Sequence, residues 1–486
     1  KRDALPMIEN SLARIDDLPV VDHSRRTGWN GASFVLPGKT IGDRAYSLVY
    51  ADVNTNGRVE EIGNLEGWKT GLKNPCSVSS ILTFAIAAAF AAPLMAFSGM
   101  SEGVIFLLVG ASGTGKTTAC RAAMSVYGAT DIDLIPTFDL TDRALEEICV
   151  AFNDTLLVLD EVGRAGTNRR ARETALGKIA YAVPSGVGRK RAAMVQDQGL
   201  HDCVWRTLVL GSSEDSFYNG ERADERKTGE KVRLVEIAVP SADDGGIFYA
   251  PKLGPSQRVA RGRAMSAAVE ETIRAHHGCT IAPFVEGLLH DHARLPRRIG
   301  AMIDEFKKSV SATGDTSFEA RLAAKFGLIC AGGRLAARFN LAPFTEKRCE
   351  RACRRLFRRA VTALAPKPPL NERAFAKALL EAAKDERRVP RVEEGRSVPP
   401  MEPEPWGIRR IIDRVETIAI RRENLGRITG QKISEVFLGK LSKIGGLMPA
   451  KDGKYSRQIK VTGWQGSSRP RFYCFKADAI RKLAES

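Results

Sequence analysis

The segment GASGTGKT, residues 110–117, satisfies the pattern G-x-x-x-x-G-K-[ST]. An apolar run, VIFLLV, leads into it, and TTACRAAMSVYG leaves it with helical composition as far as Gly128. Glycines in such a loop let the backbone curl until successive N–H groups face phosphate oxygens, and the helix behind adds its positive end. Gly110, Ala111, Ser112, Gly113, Thr114 and Gly115, with Lys116, Thr117 and Thr118, are therefore the expected nucleotide-binding set. Lys116 would reach the β- and γ-phosphates, and the Thr117 hydroxyl would bind Mg2+. Further along, TLLVLDEV ends an apolar strand in Asp160 and Glu161. Asp160 would hold Mg2+ through water and Glu161 would polarise the attacking water. A chance loop match, or an acidic pair solvating a strand end, is the bland alternative to each motif. The two together favour an ATP-hydrolysing site.

Other candidates are less constrained. RTLVLGSSEDS is another strand ending in small polar residues, so Ser212 or Ser213 would contact the γ-phosphate or the water, or would only cap the next helix. Arg233, placed at the start of the strand in EKVRLVEIAV, is a candidate arginine finger for a neighbouring subunit's γ-phosphate, with Arg222 and Arg226 as competitors and a solvated strand-edge Arg as the bland reading. His276, His277, Cys279, His290 and His292 lie close in sequence, but their spacing matches no usual zinc pattern.

The elements that must position these groups follow from periodicity. VIFLLV, DIDLI, TLLVLD, RTLVLGS and VRLVEIAV alternate with helical patterns, which implies an α/β layer with a parallel sheet. The helix expected over 141–152 puts Leu145, Ile148, Cys149 and Phe152 on one face. The expected divisions are a β-rich segment over 1–73, with turns at Pro37-Gly38 and Asn56-Gly57; a nucleotide-binding core over 74–254; a helical lid over 255–388; a Pro- and Glu-rich linker over 389–407; and a winged-helix-like module over 408–486. The start at Lys1 rather than Met suggests a fragment or processed product, its N-terminal segment truncated. ILTFAIAAAFAAPLMAF, residues 81–97, is uncharged but short for a membrane span and interrupted by Pro93, so a buried core helix is the better expectation. Nine scattered cysteines with no CxxC pair suit reduced thiols in a cytoplasmic protein.

Several stretches together resemble a known family. GWNGASFVLPGKTIG, AFAAPLMAFSGMSEGVIFLLVGASGTGKTTACRAAMSVYG, NDTLLVLDEVG, WRTLVLGSSED and VRLVEIAV occur in the order of the P-loop family named domain of unknown function 927, found on phages, plasmids and other mobile elements, often beside primase modules. Some members resemble minichromosome-maintenance helicases, AAA+ cores that act as hexameric DNA motors with a C-terminal winged helix. The resemblance runs over roughly residues 20–365. It implies ATP and Mg2+ as cofactors, DNA as partner, a homo-hexamer, a possible partner primase and no membrane. It strengthens Arg233 as the finger, weakens Ser212 (the family has Thr there) and assigns Arg321 as a second sensor on the lid.

On the DNA side, GVGRKRAAMVQDQGLHDCVW is expected to form a hairpin. In related hexameric helicases a hairpin here projects into the pore, so Arg189, Lys190 and Arg191 would grip phosphates. The basic helix over 347–360 and the wing residues Lys454, Arg457 and Lys460 would do the same, with a solvated basic face as the alternative. The chain's net +17 is uneven: residues 401–486 carry +9 and residues 341–360 carry +5, whereas residues 101–250 sum to −5. The resulting expectation is an ATP-dependent DNA helicase, with an ATP-switched loader or an origin-binding initiator as alternatives.

Overall fold

A computed structural model of the chain describes residues 7, 11, 22–24, 26–44, 46–48, 59–128, 130–131, 135–161, 169–188, 204–218, 228–311, 318–364, 370–393, 405–429, 433–450, 452–461 and 470–485. The chain divides into two compact units, the first closing at Leu364 and the second opening at Ala365.

The first unit begins with short strands: β1 (Asp22–Ser24), β2 (Gly28–Asn30), β3 (Ser33–Leu36), β4 (Lys39–Gly42) and β5 (Tyr46–Leu48). β2, β3 and β4 form an antiparallel meander, and β1 pairs with β5 in parallel. The expected Pro37-Gly38 turn joins β3 to β4, with Gly38 at φ +70°. The meander is tied to the core at Asp154. Its carboxylate accepts from the Trp29 N–H at 3.1 Å and from Arg206 at 2.7 and 2.8 Å.

Next come α1 (Leu65–Val78) and α2 (Ser80–Ala91), then a 3-10 turn over Ala92–Phe97. Ser79 starts α2, accepting from the Leu82 N–H. Every residue of α2 is buried. Among the described residues Ser80–Phe97 is the one segment long and apolar enough to cross a membrane, and 89% of it lies inside the fold.

The α/β layer follows as β6 (Val104–Val109), α3 (Lys116–Met124), α4 (Asp142–Ala151), β7 (Leu156–Leu159), α5 (Arg169–Ser185), β8 (Leu208–Ser213), α6 (Thr228–Arg233) and β9 (Leu234–Ala238). The four strands are parallel in the order β7-β8-β6-β9. Alternation along β6 divides two cores: Phe106 and Leu108 face the cluster containing α2, while Ile105 and Leu107 face that containing Leu145 and Leu176. Of the DIDLI run only Asp131 and Ile135 are described, and neither is in a strand. VRLVEIAV is part helix: Val232 and Arg233 close α6, and β9 starts at Leu234.

Five helices complete the unit: α7 (Pro255–Ala275), α8 (Ile281–Leu289), α9 (Leu295–Ser309), α10 (Phe318–Arg338) and α11 (Glu346–Leu364). α10 packs on α2, α9 and α11. Gly332 makes the closest approach possible, since a Cβ there would lie 2.5 Å from the Ala91 nitrogen.

The second unit contains α12 (Glu372–Lys384), β10 (Gly407–Ile412), β11 (Val415–Arg421), α13 (Arg422–Thr429), α14 (Glu435–Lys443), β12 (Ser456–Gln458), β13 (Arg471–Lys476) and α15 (Ala477–Glu485). Its sheet is antiparallel, ordered β10-β11-β13-β12. Two expectations are corrected here. The helices expected as one lid over 255–388 do not belong to a single unit, because α12 buries Phe375 and Leu379 in a core with Ile418, Leu441 and Phe475. A helix that is polar on one side reads the same whichever core it faces. The 389–407 stretch is not all linker either: Val389 is buried and the Trp406 N–H donates to the Arg388 carbonyl at 2.7 Å. The β10–β11 hairpin escapes pattern reading because its turn residues, Asp413 and Arg414, take positive φ without glycine.

Candidate functional site

The loop of residues 110–115 leaves the C-terminal end of β6, with Gly113 at φ +72° and Gly115 at φ +86°. Those left-handed angles turn the chain into α3 without a Cβ clash. Lys116 is 7% exposed, and its Nζ donates to the carbonyls of Gly110 and Ala111 at 2.7 and 2.8 Å. Burial lowers its pKa, opposed by Glu214 and Asp160.

Beside the loop, the ends of β7 and β8 supply the acidic centre. Thr117 Oγ1 lies 3.4 Å from Asp160 Oδ2, and the Ser212 hydroxyl donates to Asp160 Oδ1. The Glu161 N–H donates to Asp160 Oδ1 at 3.0 Å and to Ser212 Oγ at 3.3 Å. Glu161 itself sits at φ +56°, a left-handed conformation that costs a non-glycine residue about 1–3 kcal/mol. Asp160 is fixed by its own N–H, which donates to the Pro136 carbonyl at 3.1 Å.

These groups line one cleft of about 810 Å³ at the C-terminal ends of the parallel strands, where ligands of open α/β sheets bind. Ser112 through Thr118, Asp160, Glu161, Ser212 and Ser213 all face it. Positive-φ glycines, a buried ammonium and adjoining hydroxyl and carboxylate oxygens form a donor set that fits a nucleotide phosphate with a small hard cation. Arg172 of α5 and Arg263 of α7 also line the cleft. Neither belongs to a local motif. The signal that could have marked Arg263 is the helical spacing of Gly262, Arg263 and Ser266 on one face of α7.

Two expected site residues lie elsewhere. Arg321, expected at the nucleotide from the lid, pairs with Glu102 at 2.8 Å, and Arg233 pairs with the same carboxylate at 2.5 Å. Glu102 precedes β6, whereas the loop follows it, and a strand of six residues spans roughly 20 Å. Helix α10 starts beside that far end of the sheet, so Arg321 does not face this chain's own cleft. Arg233 also stands 5.0 Å over the Tyr181 ring. Burial would raise the Glu102 pKa, but Lys325, Arg233 and Arg321 outweigh it and hold the carboxyl below its ordinary value. Burial pulls Lys325 down to about 7, against the pull of Glu102.

Arg189, Lys190, Arg191, Arg222 and Arg226 lie outside the described residues. On α11, Cys349, Cys353, Leu356 and Ala360 are buried, while Arg351, Arg355, Arg358 and Arg359 are exposed. In the second unit Lys454 pairs with Asp452 at 3.3 Å, Arg457 with Asp413 at 2.7 Å, and Lys460 is exposed. The histidines do not gather: His276 Nδ1 accepts from the Asn64 N–H at 3.1 Å, and His277 Nδ1 bonds the Ile273 carbonyl. Among the described residues they form no metal-competent group.

No curated protein matches the chain. A solved structure described as "SCCmec type IV Cch - active helicase" is similar in fold, with a TM-score of 0.53 at 14% identity over 99% of this chain and 84% of that one. Residues 7–197, which include the loop, Asp160 and Glu161, match the family described as Domain of unknown function (DUF927).

Proposed function

We propose that the chain is an ATP hydrolase that drives DNA unwinding, an AAA+ motor with a helical lid, a winged-helix-like second unit and a ring, hexameric assembly, serving a mobile genetic element with a partner primase. The observation that carries this reading is the convergence of Lys116, Thr117, Asp160, Glu161 and Ser212 in one cleft at the ends of adjacent parallel strands. Likeness in fold to a structure described as an active helicase supports the choice of motor over other ATPases.

Lys116 brings a positive charge to the loop, ready to exchange its two carbonyl partners for phosphate oxygens. Thr117 and Asp160 offer hard oxygens to a divalent ion. When bound, ATP with Mg2+ supplies the scissile phosphoanhydride and a counter-charge to the one that builds up on it. Glu161, held at its angle by two bonds to its N–H, orients the attacking water and accepts its proton. Arg233 serves a neighbouring subunit after release from Glu102. Lys454, Arg457, Lys460 and the outward face of α11 contact DNA phosphates.

Forked DNA with and without ATP tests the reading. The wild type should displace a strand only with ATP, and Lys116→Ala and Glu161→Gln should each lose turnover by at least about 100-fold while retaining DNA binding. Normal hydrolysis by either variant would overturn the site. DNA-stimulated hydrolysis without strand displacement would instead identify an ATP-switched loader.

A further inference from the structure

Away from the cleft, three cysteine sulfurs converge between α10 and α11. Cys349 and Cys353 stand four residues apart on one face of α11, and Cys330 meets them from α10. The three Sγ atoms lie within 4.8 Å of one another, and the residues are 0%, 0% and 2% exposed respectively. Buried cysteine is ordinarily a small apolar filler. A common centre for three sulfurs asks for more than filling space.

Three points no more than 4.8 Å apart share a centre no more than about 2.8 Å from each, against about 2.3 Å for a zinc–thiolate bond. A contraction of a few tenths of an ångström therefore brings all three into bonding range. No histidine or carboxylate belongs to the group, so the donor set is sulfur alone and three-coordinate, which selects soft cations over hard ones. The charged groups beside the sulfurs neutralise one another. Arg334, one turn after Cys330, is shared by Glu305 at 2.8 Å, Glu350 at 3.2 Å and Glu346 at 3.3 Å. Arg338 takes part of Glu346 at 2.9 Å and Arg354 reaches Glu350 at 3.9 Å, so the three carboxylates face three guanidiniums.

We propose that Cys330, Cys349 and Cys353 form a trithiolate site that takes one soft, thiophilic metal cation per chain and staples α10 to α11. Loading a divalent ion releases three thiol protons and leaves a complex of net charge −1 near the Arg334 guanidinium. Because the sulfurs are closed to solvent, the ion enters as the two helices come together during folding.

The test uses the full chain, produced with cadmium in the growth medium and passed over a chelator. The wild type should retain about one cadmium per chain, show a thiolate-to-cadmium charge-transfer band and melt several degrees above the metal-free protein. Its X-ray absorption should give a first shell of three sulfurs. Cys330→Ala, Cys349→Ala and Cys353→Ala should each lose the band and the metal, whereas Cys120→Ala, buried in the separate environment of α3, should keep both. Failure of the wild type to retain metal, a shell containing nitrogen or oxygen, or retention by the triple variant would each overturn the proposal. Should a variant fail to fold, the wild-type shell decides alone. None of these readouts depends on nucleotide hydrolysis.

Discussion

Lys116 donates two hydrogen bonds to its own loop, so the loop's carbonyls hold the ammonium that the proposed phosphate would take over. Lys116, Thr117, Asp160 and Glu161 were legible from sequence as candidates because a phosphate loop and a strand ending in acids are local patterns; that β8 lies between β6 and β7, and brings Ser212 with it, is set by the sheet order. Arg263 and Arg321 show where local pattern stops. Both lie on helices, α7 and α10, and only the packing decides which end of β6 each one meets. Arg263, which lines the cleft, should matter for nucleotide affinity: Arg263→Ala is expected to raise the KM for ATP about five- to tenfold with little change in kcat, the loss of one charged contact. Arg321→Ala should leave KM unchanged. Steady-state kinetics of the two variants, measured without DNA, checks both statements, and the reverse ranking would return the lid sensor to Arg321.

Among the elements, the parallel strands read well because both faces are buried and their apolar runs are continuous; the β10–β11 hairpin reads poorly because its turn lacks glycine. The junction of β6, α6 and α10 has no sequence signature at all. There Lys325 Nζ donates to the carbonyls of Gly103 and Val232 at 2.9 and 2.8 Å. Its ammonium titrates at about 7 in the fold against an ordinary 10.5, so between those values the unfolded chain holds the extra proton. The contribution to stability is complete above 10.5 and is lost as pH falls towards about 7, by roughly 1.4 kcal/mol per pH unit within that window. Urea midpoints at pH 7.5 and 9 should therefore show a steeper rise with pH in the wild type than in Lys325→Met. Equal slopes would refute a native lysine of lowered basicity.

For the whole molecule, charge is distributed unevenly along the chain. Residues 101–250, which hold most of the cleft, sum to −5, while residues 341–360 and 401–486 together carry +14. That asymmetry was legible from sequence, but the division at Leu364 was not, since helices of both units are amphipathic with charged outer faces. If DNA is held by the basic second unit, a chain ending at Leu364 should retain basal ATP hydrolysis, lose most DNA affinity and show a shallower slope of log affinity against log salt. Filter binding at stepped salt measures this, and an unchanged slope would move the DNA contacts into the first unit.

The buried helix α2 has a consequence during synthesis. It packs against α10 and α11, whose residues emerge more than 200 positions later, on the order of tens of seconds at ordinary translation rates. Throughout that interval the longest apolar stretch among the described residues, itself long enough to cross a bilayer, can pack on α1 and α3 but lacks α10 and α11. The segment is therefore open to holdase chaperones and membrane-targeting factors before α10 and α11 can cover it.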